Sequence, residues 1–189
     1  MDILTEQLVD LGLKLYDYRN NFMKDINFYI SNNYERISGK SGLILKYDSC
    51  YHEKNREELL KVYKDEEKRD IILGKTNFGI HKDDYIFYLN DCNLKDYGSE
   101  GEQKNAIISL KMAEIEIFRK EKKVTPILIL DDLFSELDEE KINNIMLFID
   151  DDIQTFITTT ELDKVNNELK NASRIFYVEN GNVKEDIYE

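Results

Sequence analysis

The stretch of sequence best suited to chemistry is ILILDDLFSELD at residues 127–138, in which two acids follow four apolar residues. The apolar run predicts a buried strand, so Asp131 and Asp132 would lie at its carboxyl end, where open α/β sheets bind their ligands. An acid in the position of Asp131 serves Mg²⁺ in nucleotide hydrolases, usually through water, and a second acid beside it polarises the attacking water. For this stretch alone, a strand that simply ends in solvated acids remains the alternative.

A second stretch, GSEGEQK at 98–104, stands just before a predicted helix. Glycine permits close approach of a backbone, and free amides at a helix N-terminus favour a phosphate. The alternative is an ordinary capping box, with Ser99 as the cap and Glu102 at the third helical position. The stretch taken alone favours the cap. Its place about 25 residues before the acid pair, the spacing that ABC-type ATPase heads require, favours the phosphate contact.

The third stretch is QTFITTT at 154–160, a predicted strand that ends in threonines. ABC heads place a switch histidine about where Thr160 stands, and a hydroxyl there could contact a γ-phosphate or the attacking water instead. A β-branched strand with polar ends explains the same residues equally well. The SELD sequel at 135–138 matches the loop that follows the acid-bearing strand in ABC heads.

Two other patterns are rejected. Residues 74–76, Gly-Lys-Thr, resemble the end of a phosphate-binding loop, but Arg69 stands where that loop needs its first glycine, and no apolar strand leads into it. We therefore predict no phosphate-binding loop in this chain. The four residues that could be imagined as a zinc site match no usual zinc spacing: Cys50, His52, His81 and Cys92.

Composition and charge narrow the class of protein. The net charge is −13, and residues 1–69 hold 12 Lys/Arg against 13 Asp/Glu, so most of the negative charge lies in residues 70–189. A surface that coats DNA uniformly is excluded, because phosphate contacts need local positive charge, and the first third is the better candidate for touching nucleic acid. We see no signal peptide and no bilayer-length apolar run. Two lone cysteines indicate reduced thiols in a cytosolic protein.

Hydrophobic periodicity predicts a helical part followed by an alternating part. Residues 5–37 and 53–69 are predicted helices on either side of a short strand at 43–47. From about residue 76, strands alternate with helices, which predicts an α/β fold. The predicted strands there are 85–89, 127–130, 154–159 and 174–178, and the predicted helices are 101–120, 139–149 and about 162–170.

One apolar stripe runs along the first predicted helix. Its members recur at steps of three and four: Leu8, Leu11, Leu15, Tyr18, Phe22, Ile26 and Ile30. The first five keep a heptad, as a coiled-coil seam would, but the heptad then slips. We expect the whole stripe to pack on neighbouring parts of the chain.

The order of four blocks resembles the RecF family of bacterial DNA replication and repair proteins. The blocks are GIHKDD at 79–84, GSEGEQK at 98–104, ILILDDLFSELD at 127–138 and QTFITTT at 154–160. Generic ABC transporters lack the first block and carry histidine after the last strand, so the match is specific. Residues 5–70 also resemble the returning part of that family's helical arm.

The resemblance implies an α/β fold that forms the C-terminal lobe of an ABC-type ATPase head, related to SMC heads, over residues 71–189. Residues 1–70 would then be part of the helical arm. The expected cofactors are ATP and Mg²⁺, with Asp131 as the Walker B acid that serves the metal and Asp132 as the catalytic acid. The remaining nucleotide contacts would come from the signature motif, the cross-dimer loop and the last strand: Ser99, Gly101, Ser135, Asp138 and Thr160.

The resemblance also implies partners. RecF proteins dimerise on ATP, bind DNA near single-strand/double-strand junctions, and act with RecO and RecR to load RecA at gaps. We therefore expect a homodimer in the whole protein, a cytoplasmic location and no membrane partner.

The chain departs from the family's pattern. The family usually has Gln at the positions of Glu100 and Glu102, Arg at Lys104 and Pro at Ile80. Extra carboxylates beside a γ-phosphate are unfavourable unless they point away. The half of the family that carries the phosphate-binding loop is absent, so we expect this chain to be inactive alone. A non-catalytic scaffold that binds partner proteins through its arm and acidic face is the alternative function, and the acid pair favours the ATPase.

Overall fold

A computed structural model of the chain describes residues 3–131, 139–146, 149 and 153–186. The chain divides into two compact units, Met1–Glu121 and Lys122–Glu189, called here the first and second unit. The boundary predicted between arm and head, at residues 70 and 71, falls inside the first unit and stays a prediction. Among the described residues, no helix combines the length and the apolarity that crossing a bilayer requires.

The first unit holds four helices, three strands and a short 3₁₀ turn at Ile80–Lys82. In chain order these are α1 Ile3–Ser38, β1 Leu43–Asp48, α2 Arg56–Leu73, β2 Asp84–Leu89, β3 Cys92–Asn93, α3 Leu94–Tyr97 and α4 Glu100–Lys122. The strands form an antiparallel sheet in the order β1-β2-β3, with Leu43 opposite Leu89. The sequence missed β3 and α3, which are too short to show a period.

Two apolar clusters hold the first unit together. The larger, the sheet core, joins the second half of α1 to β1 and α4, and its members are Met23, Ile26, Ile30, Tyr34, Leu43, Leu45, Leu94, Ala106, Ala113 and Ile117. The smaller, the helix core, joins the first half of α1 to α2 through Val9, Tyr51, Leu59, Leu60 and Tyr63. A capping box between Asn55 and Glu58 starts α2.

The predicted burial of the apolar stripe is wrong for the first half of α1. Only the last two members of the predicted stripe are buried, and the first five are 39% to 77% exposed: Leu8, Leu11, Leu15, Tyr18 and Phe22. The buried positions there are Val9 and Gly12 instead. A Cβ on Gly12 would lie 2.5 Å from the Tyr51 hydroxyl, so a residue without a side chain lets α1 approach that ring. α1 thus carries two apolar stripes, one buried and one exposed.

The rejected phosphate-loop pattern at 74–76 has another role. Gly74 is the C-cap of α2, with φ 63°, and its N–H bonds back to the carbonyls of Asp70 and Ile71. The left-handed conformation explains the glycine. The pattern therefore ends a helix, whereas a phosphate-binding loop would begin one.

The second unit holds two small sheets in its described part. Its elements are β4 Leu128–Asp131, α5 Glu139–Met146, β5 Thr155–Thr158, a 3₁₀ turn at Leu162–Lys164, α6 Asn167–Asn171, β6 Ile175–Glu179 and β7 Asn182–Asp186. β4 and β5 pair in parallel, and β6 and β7 form an antiparallel hairpin. The helix predicted near 162–170 is a 3₁₀ turn followed by α6. β7 was missed, although Asn180-Gly181, with φ 50° and 77°, is the usual hairpin signal.

The β4–β5 sheet is covered on one face and uncovered on the other. Leu128 and Leu130 point to the covered face and are each 8% exposed. The opposite side, called here the open face, carries Ile127, Ile129 and Phe156 at 61%, 69% and 51% exposed. Parallel sheets are normally buried on both faces. The open face is therefore unusual for this class of sheet.

Candidate functional site

Asp131 lies where the sequence predicted, at the carboxyl end of β4. The register of the parallel pair sets it beside Thr158, the last residue of β5. The Thr158 hydroxyl donates to Asp131 Oδ1 at 2.5 Å, and both side chains are exposed. This bond orients the carboxylate at the edge of the sheet while leaving it accessible to water. A hard, hydrated cation such as Mg²⁺ is bound by such a carboxylate, so the residue present fits the predicted metal.

Thr158 was not among the residues predicted from sequence. The signal that would have found it is the register of two parallel strands, because residues at the same level of neighbouring strands share an edge. Thr160, the residue that was predicted, is exposed and lies two positions beyond the end of β5. Its contact with a nucleotide stays a prediction.

The other acid-loop residues lie outside the described residues. These are Asp132, Ser135 and Asp138, predicted as the catalytic acid and the two members of the cross-dimer loop. Their roles stay predictions.

The residues predicted to form the signature motif lie at the start of α4 in the first unit. Ser99 is exposed, and its carbonyl accepts the first helical bond, from Gln103 N at 3.0 Å. Its own N–H and hydroxyl both donate to Glu102 Oε2, at 3.0 and 2.9 Å, and Glu102 N donates back to the serine Oγ at 3.3 Å. The capping box that the sequence offered as an alternative is therefore present.

A lysine from another element holds the same carboxylate. Lys40, in the turn after α1, places Nζ 2.9 Å from Glu102 Oε1. The hydrogen bond from Lys40, followed by those from the Ser99 N–H and hydroxyl, lowers the pKa of Glu102 from 4.5 to about 2. Glu102 is thus a carboxylate at any physiological pH.

The two glycines of the predicted signature motif differ in what surrounds them. A Cβ on Gly98 would lie 2.5 Å from the carbonyl oxygen of Leu94, so no larger residue fits between α3 and α4 without a shift. A Cβ on Gly101 would meet nothing within 4 Å, and the residue is exposed. Gly98 is therefore explained by packing within the chain, whereas nothing in the described surroundings requires Gly101.

The block at 79–84 is docked on α1 and β1. Arg19 Nη1 donates to the Ile80 carbonyl and to Asp83 Oδ2, both at 3.1 Å, and the Tyr47 hydroxyl donates to the same Asp83 oxygen. The Asp83 side chain is only 1% exposed. At Gly79, φ is 141° and a Cβ would lie 2.6 Å from the Tyr63 hydroxyl, so glycine is required there. This block fastens the entry of β2 to the long helix.

Comparison with known proteins places these features in a family. No protein-family model matches the chain. DNA replication and repair proteins RecF are 33% identical in Halalkalibacterium halodurans, 35% in Enterococcus faecalis and 37% in Streptococcus thermophilus, over 97% to 98% of this chain. The chain belongs to the RecF family. It spans about half the length of these relatives, 51% to 52%, and corresponds to their C-terminal half.

Solved structures agree with that assignment. A solved structure of the recombination mediator protein RecF with ATP in the RecFOR pathway matches 98% of this RecF-family chain at a TM-score of 0.78 and 25% identity, over 50% of its own length. The head of an SMC protein, bound to the C-terminal winged-helix domain of ScpA, matches at a TM-score of 0.53 and 11% identity, over 97% of this chain and 48% of its own, which shows the fold alone. The predicted α/β class and the ATPase-head fold are therefore confirmed.

The positions at which we expected this RecF-family chain to depart from the family's pattern include Glu100, Glu102 and Ile80, which the structure describes. Glu100 is exposed in the first turn of α4, while Glu102 turns back onto Ser99 and Lys40. Ile80 begins the 3₁₀ turn and offers its carbonyl to Arg19. Glu100 and Glu102 are thus not equivalent, since of the two only Glu102 contacts Ser99.

Proposed function

We propose that this chain is the part of a RecF-type ATPase that serves Mg²⁺, activates water and contacts the partner subunit's nucleotide. The observation that carries the proposal is Asp131 at the carboxyl end of a parallel strand, oriented by the Thr158 hydroxyl and open to solvent. That edge is where nucleotides bind in α/β sheets. RecF relatives over nearly the whole chain support the assignment.

Each residue in the proposal has a stated task. Asp131 holds Mg²⁺ through water, and the metal neutralises charge that develops on the phosphates. Asp132 accepts a proton from the attacking water. Ser99 and Gly101 donate to a γ-phosphate held by a second copy across a two-fold interface, with Ser135, Asp138 and Thr160 around it.

The open face supports a second lobe. Ile127, Ile129 and Phe156 leave apolar surface uncovered on a parallel sheet, and the relatives are about twice as long as this chain. We propose that the half of the family absent here carries the phosphate-binding loop and covers this face. Most phosphate contacts come from that loop's amides and lysine, so this chain alone binds ATP only weakly and does not hydrolyse it.

The proposed role of the whole protein follows its relatives. It dimerises on ATP, binds DNA at single-strand/double-strand junctions, and works with RecO and RecR in loading RecA. The RecFOR pathway is named for a structural relative at a TM-score of 0.78. Because residues 70–189 hold 14 Lys/Arg against 26 Asp/Glu, DNA contact falls to the first third or to the absent half.

One observation favours a second function, a scaffold that binds partner proteins. The exposed stripe of α1, defined by Leu8, Leu11, Leu15, Tyr18 and Phe22, keeps heptad spacing and offers a seam to another helix. A scaffold needs this seam but has no use for the acid pair.

The test uses protein that includes the phosphate-binding half. Asp132→Asn lowers ATP hydrolysis by about 10²-fold or more and keeps ATP-driven dimerisation, because the amide fills the same space but accepts no proton. Asp131→Asn also weakens Mg²⁺-dependent nucleotide binding. Steady-state hydrolysis and sedimentation measure the two properties. Normal hydrolysis by both variants would reject the ATPase roles and leave the scaffold.

A mixing experiment tests action across the interface. Ser99→Arg collides with a partner's nucleotide but leaves the monomer's own pocket intact, so it blocks dimerisation and not ATP binding. If Ser99 acts in trans, each ATP site of the dimer combines Asp132 of one subunit with Ser99 of the other. In a mixed dimer of Ser99→Arg and Asp132→Asn, both substitutions then fall in one ATP site, and the other site is intact. Recovered hydrolysis supports trans action. Loss of ATP binding by the Ser99→Arg monomer would withdraw the signature assignment.

A further inference from the structure

The donors of Ser99 are already in use. A serine hydroxyl has one proton to donate and a backbone amide has one, and both point at Glu102 Oε2, at 2.9 and 3.0 Å. A phosphate that accepts from the same hydroxyl or amide must first displace that oxygen. The carboxylate and a phosphate therefore compete for one pair of donors.

Charge makes the competition stronger than a neutral cap would. Hydrogen bonds to an ionised acceptor are roughly twice as strong as neutral ones, so a glutamate holds Ser99 more firmly than a glutamine does. Glu102 is also fixed from its other side by Lys40, whose Nζ lies 2.9 Å from Oε1. Side-chain exposure is 60% for Lys40 and 23% for Glu102, so water reaches the lysine more freely than the carboxylate.

The turn that carries Lys40 is itself anchored. Lys40 N donates to the Ser38 hydroxyl at 3.1 Å, and that hydroxyl donates to the Tyr34 carbonyl at 2.6 Å in the last turn of α1. Gly39 adopts φ 68°, which lets the chain reverse there. The lysine is thus presented to α4 by a built turn.

We propose that Glu102, held by Lys40, sets the affinity of the signature motif for phosphate by occupying Ser99 until a nucleotide displaces it. This rests on the proposed function, because it assumes that Ser99 meets a γ-phosphate. Displacement costs the charge-assisted bonds to Ser99 and leaves a negative side chain beside the incoming phosphate. The whole protein therefore dimerises on ATP less readily than the same protein with a neutral residue at 102.

The variants separate charge from capping. Glu102→Gln keeps an acceptor for the capping box but removes the charge, so α4 keeps its start. Glu100→Gln is the matched control, since it removes the same charge two residues earlier, from an exposed side chain that is not among the partners of Ser99.

The first measurement uses this chain at neutral pH and does not depend on ATP. The Ser99 amide resonance is followed by nuclear magnetic resonance. Glu102→Gln shifts it because an ionised acceptor becomes neutral, while Glu100→Gln moves it much less. Equal shifts in both variants would show that Glu102 does not hold Ser99, and the proposal would be overturned.

The second measurement uses protein that includes the phosphate-binding half, with adenylyl imidodiphosphate as the probe. Sedimentation gives the nucleotide concentration at half-dimerisation. Removing one unit charge near the phosphate lowers that concentration about three- to tenfold in Glu102→Gln. Glu100→Gln stays within about twofold, because its side chain is exposed and solvent screens its charge.

The outcomes distinguish two failures. If unmodified protein does not dimerise with the probe, the proposed function fails and this inference fails with it. If it dimerises but Glu102→Gln behaves like Glu100→Gln, the proposed function stands and the role of Glu102 alone is rejected.

Discussion

The two units of this chain differ in how completely they bury their own apolar surface. In the first unit, Ile30, Tyr34 and Leu43 are fully buried between α1, β1 and α4. In the second unit, the parallel sheet leaves Ile127, Ile129 and Phe156 in water. A closed core is stabilised by contacts that this sequence supplies itself. We proposed above that the half of the RecF family's length that this chain does not span covers the open parallel sheet.

The first unit is not closed everywhere. The exposed stripe of α1 lies beside the buried positions Val9 and Gly12. The first half of this helix therefore has one buried face and one exposed apolar face. The exposed stripe of α1 and the open face of the β4–β5 sheet can both be tested by substituting an exposed apolar side chain. A side chain that is uncovered here has little effect on the stability of this chain and a large effect where its cover is present.

The largest effect is expected inside the sheet core. Ile30→Ala lowers the free energy of unfolding of this chain by about 2–5 kcal/mol, because a fully buried side chain is replaced by a cavity. Leu11→Ala, on the same helix but 64% exposed, changes it by less than about 0.5 kcal/mol. Urea unfolding of the two variants measures both. Equal losses would mean that the stripe is covered in this chain too.

The next largest loss of stability is expected from a substitution on the open face, and only in protein that includes the covering half. Ile129→Ser leaves the stability of this chain within about 0.5 kcal/mol, since the side chain is 69% exposed. In protein that includes the covering half, the same change costs about 1.5–3 kcal/mol, the value of burying one isoleucine. Thermal unfolding of both forms makes the comparison. A small effect in both would show that the open face stays open and would break the contrast between the units.

A part-buried ion pair gives a smaller loss within the first unit. Arg19→Met removes the cation from Asp83, whose side chain is 1% exposed and keeps the Tyr47 hydroxyl as a donor, at a cost of about 1–3 kcal/mol. Arg69→Met breaks the exposed Arg69–Glu66 pair and costs less than about 0.5 kcal/mol. Denaturant midpoints of the two variants are compared. Similar midpoints would mean that the docked 79–84 block contributes little to the first unit.

Hydrophobic periodicity explains which parts of the fold could be predicted from the sequence. It marks the side of a helix or strand that is apolar, and the predicted elements at 43–47, 85–89 and 127–130 each coincide with an observed strand to within a residue. It does not record whether the covering surface belongs to the same chain. For that reason the whole α1 stripe was predicted to pack on neighbouring parts of the chain, whereas its first five members are exposed.

In the candidate site, too, local patterns were predicted from the sequence and contacts between distant segments were missed. Asp131 was predicted because a buried strand followed by acids is a local pattern. Thr158 was missed because its place beside Asp131 depends on the register of two strands 27 residues apart. Lys40 was missed because it reaches Glu102 from a turn 62 residues away in the sequence. Contacts between distant segments leave no periodic signal, so single-sequence reasoning finds the motif and misses its support.

The smallest effect concerns the Lys40–Glu102 pair and is seen only through pH. Because the pKa of Glu102 is lowered from 4.5 to about 2, the pair contributes stability that is fully present above pH 4.5 and is lost as the pH falls toward 2. Lys40→Met is therefore less stable than the unmodified chain at pH 7, and the difference narrows below pH 4.5. The side chains are partly exposed, so salt weakens the effect. Denaturant unfolding at pH 7 and pH 3 measures it, and the same lysine change made on a Glu102→Gln background serves as the control. There the difference should not vary with pH, since no carboxylate titrates at position 102. A pH-dependent difference that survives in that background would mean that another acid pairs with Lys40.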